Sequence, residues 1–164
     1  MNVLVTGAAG FIGYHLTARL LARGDRVVGF DSLNDYYDPA LKAARLMQLG
    51  VDVRGGVSGP VDSTTHPGFR FVHGQLEDAD AVTAAVRDHG IQRIVHLAAQ
   101  VGVRYSTINP RAYVDSNLVG VCSVLEAARH HGVEHLVYAS SSSVYGASAE
   151  QPFTPEQRVD KPVS

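Results

Sequence analysis

The residues with the clearest chemical potential lie near the start of the chain, in Val5-Thr6-Gly7-Ala8-Ala9-Gly10-Phe11-Ile12-Gly13. Gly7 permits a tight turn off a preceding strand. Gly10 leaves room for backbone to approach a diphosphate, and Gly13 lets a following helix pack closely. The first turn of that helix then presents free N–H groups and a partial positive charge to phosphate oxygens. The spacing is GxxGxxG, one residue longer than the common GxGxxG. Alone it is also compatible with a purely structural turn; its place between a strand-like and a helix-like run points to dinucleotide binding. Asp31 ends the next strand-like run, where an acid bonds the adenosine ribose hydroxyls. A carboxylate there repels a 2′-phosphate, so NAD is expected rather than NADP. The alternative for Asp31 is a loop cap.

These residues need elements to hold them, and the hydrophobic pattern supplies a set. Apolar runs at Asn2–Thr6, Arg26–Asp31, Phe69–His73, Ile91–His96 and His135–Ser140 read as strands. Helical spacing covers Phe11–Arg23 (Ile12, Leu16 and Leu20 on one face), Ala40–Leu49 after an Asp38-Pro39 start, and Glu77–His89. It also covers Pro110–His131, with Val114, Leu118, Val121, Leu125 and Ala128 as its stripe and Gly132 as its cap. Residues 50–68, rich in Gly and Pro, read as a surface loop, and Leu97–Asn109 as another. From Ser141 onward the chain turns polar. Alternating apolar strands and helices imply an α/β fold: a doubly wound, Rossmann-type parallel sheet in three αβα layers. Such a domain normally continues with a further helix and strand, so 1–164 reads as one dinucleotide-binding domain, incomplete at its C-terminal side.

Composition excludes several classes. The 164 residues are 45% hydrophobic and 18% charged, an ordinary globular balance. A formal net charge of −2 gives no basic excess for nucleic acid or anionic lipid. No apolar run approaches the roughly 18 residues that span a bilayer, and the first residues lack a signal-peptide pattern, so a cytoplasmic location is expected. A single cysteine, Cys122, rules out an intrachain disulfide and a Cys-rich zinc site. It reads as packed within its helix. His130, His131 and His135 straddle a helix end without an acidic cluster, and no metal site is expected.

The segments VTGAAGFIG, RVVGFD, HLAAQ (96–100), DSNLVG and YASSSSVYG (138–146) resemble the extended short-chain dehydrogenase/reductases, and within them the NAD-dependent epimerase/dehydratase family. FDSLNDYYDPALK (30–42), AAQVGVRYS (98–106) and PFTPEQRVDKPVS are similar to the UDP-glucuronate 4-epimerase subgroup. The resemblance implies that Gly7, Gly10, Phe11, Ile12 and Gly13 cradle the NAD diphosphate. It places Asp31 and Asn34 on the adenosine ribose, and Leu97, Ala98 and Ala99 beside the cofactor. Asn117 falls on the helix behind the site, and Tyr138 and Ser140 fall next to the nicotinamide. Ser141 takes the catalytic Ser/Thr position, with Ser142 and Ser143 offered to a hexuronate carboxylate. Arg104, the one cation in the 97–109 loop, is a further candidate for that carboxylate by charge alone. Gln75-Leu76 stands where relatives commonly have Asp-Leu at the adenine, replacing a charge-assisted acceptor by a neutral one.

The implied reaction inverts C4 of a UDP-sugar through a 4-keto intermediate, with hydride passing to NAD and back. The family also uses a Tyr-x-x-x-Lys pair as its base. Here lysine occurs only at Lys42 and Lys161, preceded four residues earlier by Asp38 and Gln157. The expectation is therefore a cofactor-binding portion, inactive alone, of an enzyme that is a homodimer when intact. Another nucleotide-sugar epimerase, dehydratase or decarboxylase on the same scaffold, or a non-catalytic NAD-binding module, are the alternatives.

Overall fold

The computed structural model describes residues 1–146 and 151–161. Its strands are β1 (Asn2–Thr6), β2 (Arg26–Asp31), β3 (Val61–Asp62), β4 (Phe69–His73), β5 (Arg93–His96) and β6 (His135–Tyr138). Its α-helices are α1 (Phe11–Ala22), α2 (Pro39–Gln48), α3 (Ala79–Arg87), α4 (Val103–Ile108), α5 (Pro110–Val114) and α6 (Gly120–His130). The sheet order is β3-β4-β2-β1-β5-β6, and all neighbours are parallel except the β3–β4 pair.

Period-two alternation sends each strand's side chains to opposite faces, and both faces are apolar. Val3 and Val5 of β1 join Val27, Phe69 and Phe71 under α1 and α2, with Leu20 and Leu46 from those helices. Leu4, Val28 and Ile94 point the other way, onto Val82 and Val86 of α3 and Val124 and Ala127 of α6. The result is the three-layer, mostly parallel Rossmann-type sheet that the sequence implies.

Local chemistry fixes the helix starts. Asp38 accepts from the Ala40 N–H at 2.8 Å, with Pro39 in the first turn of α2. Asp78 accepts from Ala81 N–H at the start of α3. Both are N-caps that satisfy donors the helix itself cannot.

Four expectations need correction. The 50–68 segment is not wholly a surface loop. Val51 is fully buried, and β3 pairs antiparallel with β4 through Val61↔Phe71 and Asp62↔Arg70. Residues 97–109 contain the short helix α4. The long helix between Pro110 and His130 is interrupted by a π-helical turn at Asp115–Val119. The extra residue of such a turn rotates the rest of the helix by about a quarter turn or more. Gly120, Ser123, Val124 and Ala127 therefore face the core, while Leu125 and Cys122 are exposed; Val114, before the turn, and Leu118, within it, are exposed as well. In α1 the buried face is Gly13, Thr17 and Leu20; Ile12 stands 64% exposed because the helix begins against the Gly-rich turn rather than over the sheet.

A polar cluster ties β1 to β5. The Thr6 hydroxyl accepts from the Leu97 and Ala98 N–H groups, both at 3.1 Å. Its own proton then goes to Nδ1 of His96 at 2.7 Å, which fixes the neutral imidazole with its proton on Nε2. His96 is buried, and burial pushes its pKa below the ordinary histidine value; desolvation does the same to His89. Below about pH 6.5 the unfolded chain therefore binds more protons than the folded one, and stability is lost as the pH is lowered. Urea unfolding between pH 7.5 and 5.5 is expected to show this loss. His96→Asn, which can accept from Thr6 but takes up no proton, reduces the slope and leaves the part due to His89.

Candidate functional site

A cavity of about 600 Å³ opens along the C-terminal ends of the strands. It lies where strand order reverses, with β1 flanked by β2 on one side and β5 on the other. Open α/β sheets bind ligands at this point because the loops on either side diverge.

The floor is the Gly-rich turn. Gly7 has φ +71°, and a Cβ there would lie 2.9 Å from the Ala98 nitrogen. A Cβ on Gly13 would lie 2.0 Å from the Gly7 carbonyl oxygen, so Gly13 is required by the turn itself more than by the sheet. Gly10 caps α1 without any side-chain hydrogen bond, which leaves the first N–H groups of the helix uncapped at the cavity. Phe11 and Ile12, 67% and 64% exposed, line the mouth.

Asp31, Asn34 and Lys42 line one end. The Asp31 carboxylate is buried and accepts from the Ala9 N–H at 3.0 Å and the Leu33 N–H at 2.9 Å. Lys42 donates to Asn34 Oδ1 at 2.9 Å. Gln75 and Leu76, after β4, line the same region; Leu76 is buried against Gly120, where a Cβ would approach it to 2.6 Å.

Leu97, Ala98, Ala99 and Ala139 line the other wall. Asn117 does not line the cavity. It sits in the π turn and grips Gln100 twice, accepting from its N–H and donating to its carbonyl, both at 2.8 Å. Its role is to fix the segment after β5. Tyr138 and Ser140 flank Ala139 but do not line the cavity themselves. Ser141 comes next, its hydroxyl accepting from the Ser143 N–H at 3.2 Å at the start of the 3₁₀ turn Ser142–Tyr145. None of Ser140–Ser143 lines the cavity; they follow Ala139, which does. Arg104, on α4, is exposed and away from the cavity wall; the arginine that lines it is Arg111, held by Asp115 at 2.7 Å. Sequence reasoning missed Arg111 and Lys42, although Lys42 stands inside the segment 30–42 that carried the resemblance. Among the described residues no group of His, Cys, Asp and Glu could hold a metal, and no helix is long and apolar enough to cross a membrane.

An uncapped helix N-terminus, a turn that no Cβ can enter and a carboxylate at the end of β2 are the donor and acceptor set a nicotinamide dinucleotide requires. Comparison with known proteins agrees. The chain belongs to the NAD dependent epimerase/dehydratase family, whose match runs over residues 3–164. Among curated relatives it is 43% identical over 164 residues to a probable UDP-glucuronate 4-epimerase of Rhizobium meliloti, covering 100% of this chain and 44% of that one. It is 43% identical to Protein CapI of Staphylococcus aureus, covering 100% of this chain and 45% of the other. The chain therefore spans less than half the length of these relatives.

Among solved structures it resembles a dTDP-glucose 4,6-dehydratase from Streptomyces venezuelae with NAD bound (TM-score 0.76, 30% identity, 98% of this chain and 46% of that one). It also resembles a UDP-glucose-4-epimerase from Stenotrophomonas maltophila with bound NAD (TM-score 0.75, 33% identity, 96% of this chain and 42% of the other).

Gly13→Ala is expected to destabilise the fold by at least the ~1–3 kcal/mol of an overpacked site and to abolish NADH binding, read by denaturant unfolding and NADH fluorescence. Asn117→Ala frees Gln100 and is expected to cost about 1–3 kcal/mol in the same unfolding assay.

Proposed function

We propose that this chain is the NAD-binding portion of a nucleotide-sugar 4-epimerase acting on UDP-glucuronate. The observation that carries the reading is the continuous cavity joining the glycine turn, Asp31 and a wall that includes Ala139, the residue before Ser140. The relatives named UDP-glucuronate 4-epimerase, at 40–43% identity across the whole chain, support the substrate.

Bound in this cavity, NAD supplies a reversible hydride acceptor for the sugar C4. The chain's own residues bind and orient. The α1 N–H groups and Gly7, Gly10 and Gly13 take the diphosphate, with Phe11 and Ile12 over it. Asp31 and Asn34 take the ribose, and Gln75 and Leu76 meet the adenine. Leu97, Ala98 and Ala99 form the wall beside the cofactor, with Tyr138 and Ser140 toward the nicotinamide and Asn117 bracing from behind. Ser141 holds the C4 oxygen by a hydrogen bond, and Ser142 and Ser143 direct hydroxyls toward the hexuronate carboxylate. Arg104 has no wall position, which leaves Arg111 the better-placed cation. A base tuned to its operating pH is still required, and no tyrosine precedes Lys42 or Lys161 at the needed spacing. In the whole enzyme, a UDP-sugar and a second copy of the chain are the partners; the exposed Leu118 and Leu125 offer apolar area for packing.

Calorimetric titration of the 164-residue chain is expected to show saturable NAD binding, tightened in Gln75→Asp by a charge-assisted bond to the adenine amino group. Equal affinities would refute the role of Gln75. Incubated with UDP-glucuronate and NAD, the chain is expected to yield no UDP-galacturonate above a Ser141→Ala control, and measurable turnover would overturn the need for an added base.

A further inference from the structure

Lys42 is a buried cation at the ribose end of the cavity, only 7% exposed. Its ammonium has three donors. One goes to Asn34 Oδ1 at 2.9 Å, and the group lies 3.7 Å from Asp31 Oδ1, an ion pair rather than a hydrogen bond. A donor therefore remains for a ligand in the cavity that Lys42 lines. One turn further along α2, Arg45 donates to the Ala9 carbonyl at 3.2 Å, the residue whose N–H binds Asp31. Of these two cations on one helix, Lys42 meets a carboxylate already held by two backbone N–H groups, and Arg45 meets the backbone of the residue that supplies one of them. The Asp31 carboxylate occupies what is, in its donors, a small anion nest.

This alters the expectation drawn from Asp31 alone. An isolated carboxylate at the end of β2 excludes a 2′-phosphate by repulsion, strongly so where both groups are poorly solvated. Here that charge is opposed at short range. We propose that Lys42 sets the cofactor selectivity of this site: it offsets the Asp31 charge, narrows discrimination against a 2′-phosphorylated dinucleotide, and becomes a phosphate ligand when Asp31 is neutralised. The proposal rests on the cofactor reading and goes beyond it, because it assigns a residue and a second ligand class. A purely structural Lys42, tying α2 to the loop at Asn34, would change the affinities for NAD and NADP alike.

The test is the ratio Kd(NADP)/Kd(NAD), measured by calorimetry on the 164-residue chain; a ratio is insensitive to the fraction of protein that is folded. The unchanged chain is expected to bind NAD more tightly. Lys42→Met is expected to raise the ratio by about tenfold or more, the weight of one hydrogen bond to a charged group. Lys42→Arg keeps the charge and should hold the ratio within about threefold. Asp31→Asn is expected to lower it by about tenfold or more, and adding Lys42→Met to Asp31→Asn should remove that gain. Should Lys42→Met alone fail to fold, this last pair decides. Equal ratios with and without Lys42, in either background, overturn the proposal. Absence of saturable binding of either dinucleotide to the unchanged chain would instead overturn the cofactor reading beneath it.

Discussion

The Gly7 carbonyl stands where a methyl group on residue 13 would have to be, 2.0 Å from that ideal position, and this contact sets the rest of the site. Because residue 13 has no side chain, α1 can begin directly on the turn that leaves β1. Its first N–H groups then have no partner within the helix and face the cavity. The same close start fixes Ala9, whose N–H reaches back to Asp31, and so couples the end of β2 to the turn. On the opposite side, Thr6 couples the end of β1 to the segment after β5 through Leu97, Ala98 and His96. Three strand ends are thereby held in one arrangement by backbone contacts and two short polar side chains.

Much of this was legible in the sequence because its causes are local. Glycine spacing, the Asp38-Pro39 start and runs such as RVVGFD each carry their structure within a few residues. What was not legible depends on partners far along the chain. The two-residue β3 exists only because β4 offers an edge to Val61 and Asp62. The apolar stripe through Val114, Leu118 and Leu125 is regular, yet the π turn and the neighbouring α3 decide that Val124 and Ala127 are the residues covered. In α1 the expected face holds at Leu20 and Leu16 and fails only at Ile12, where the close approach at Gly13 turns the start of the helix to the Gly-rich turn. The sequence carries no sign of a role for Lys42, and only the fold shows it turned inward to Asn34 and Asp31.

The site divides by its chemistry. The part that takes a dinucleotide is built largely of backbone groups and glycines, with Asp31 and Lys42 as its buried charges. The hydroxyls of Ser140–Ser143 follow β6, where the chain has left the sheet. Binding is therefore written into the core of these residues.

The two borders of the sheet are not equivalent. Along β3, Asp62 stands directly opposite Arg70 and pairs with it at 2.6 Å, and Pro60 precedes the strand, which closes that margin to recruitment. Among the described residues, β6 presents the other margin, with Val137 and Tyr138 exposed. Extension of the sheet is in this sense directional. A strand from the same polypeptide or another finds its open partner beyond β6, on the side of the sheet where Ser140–Ser143 follow in the chain.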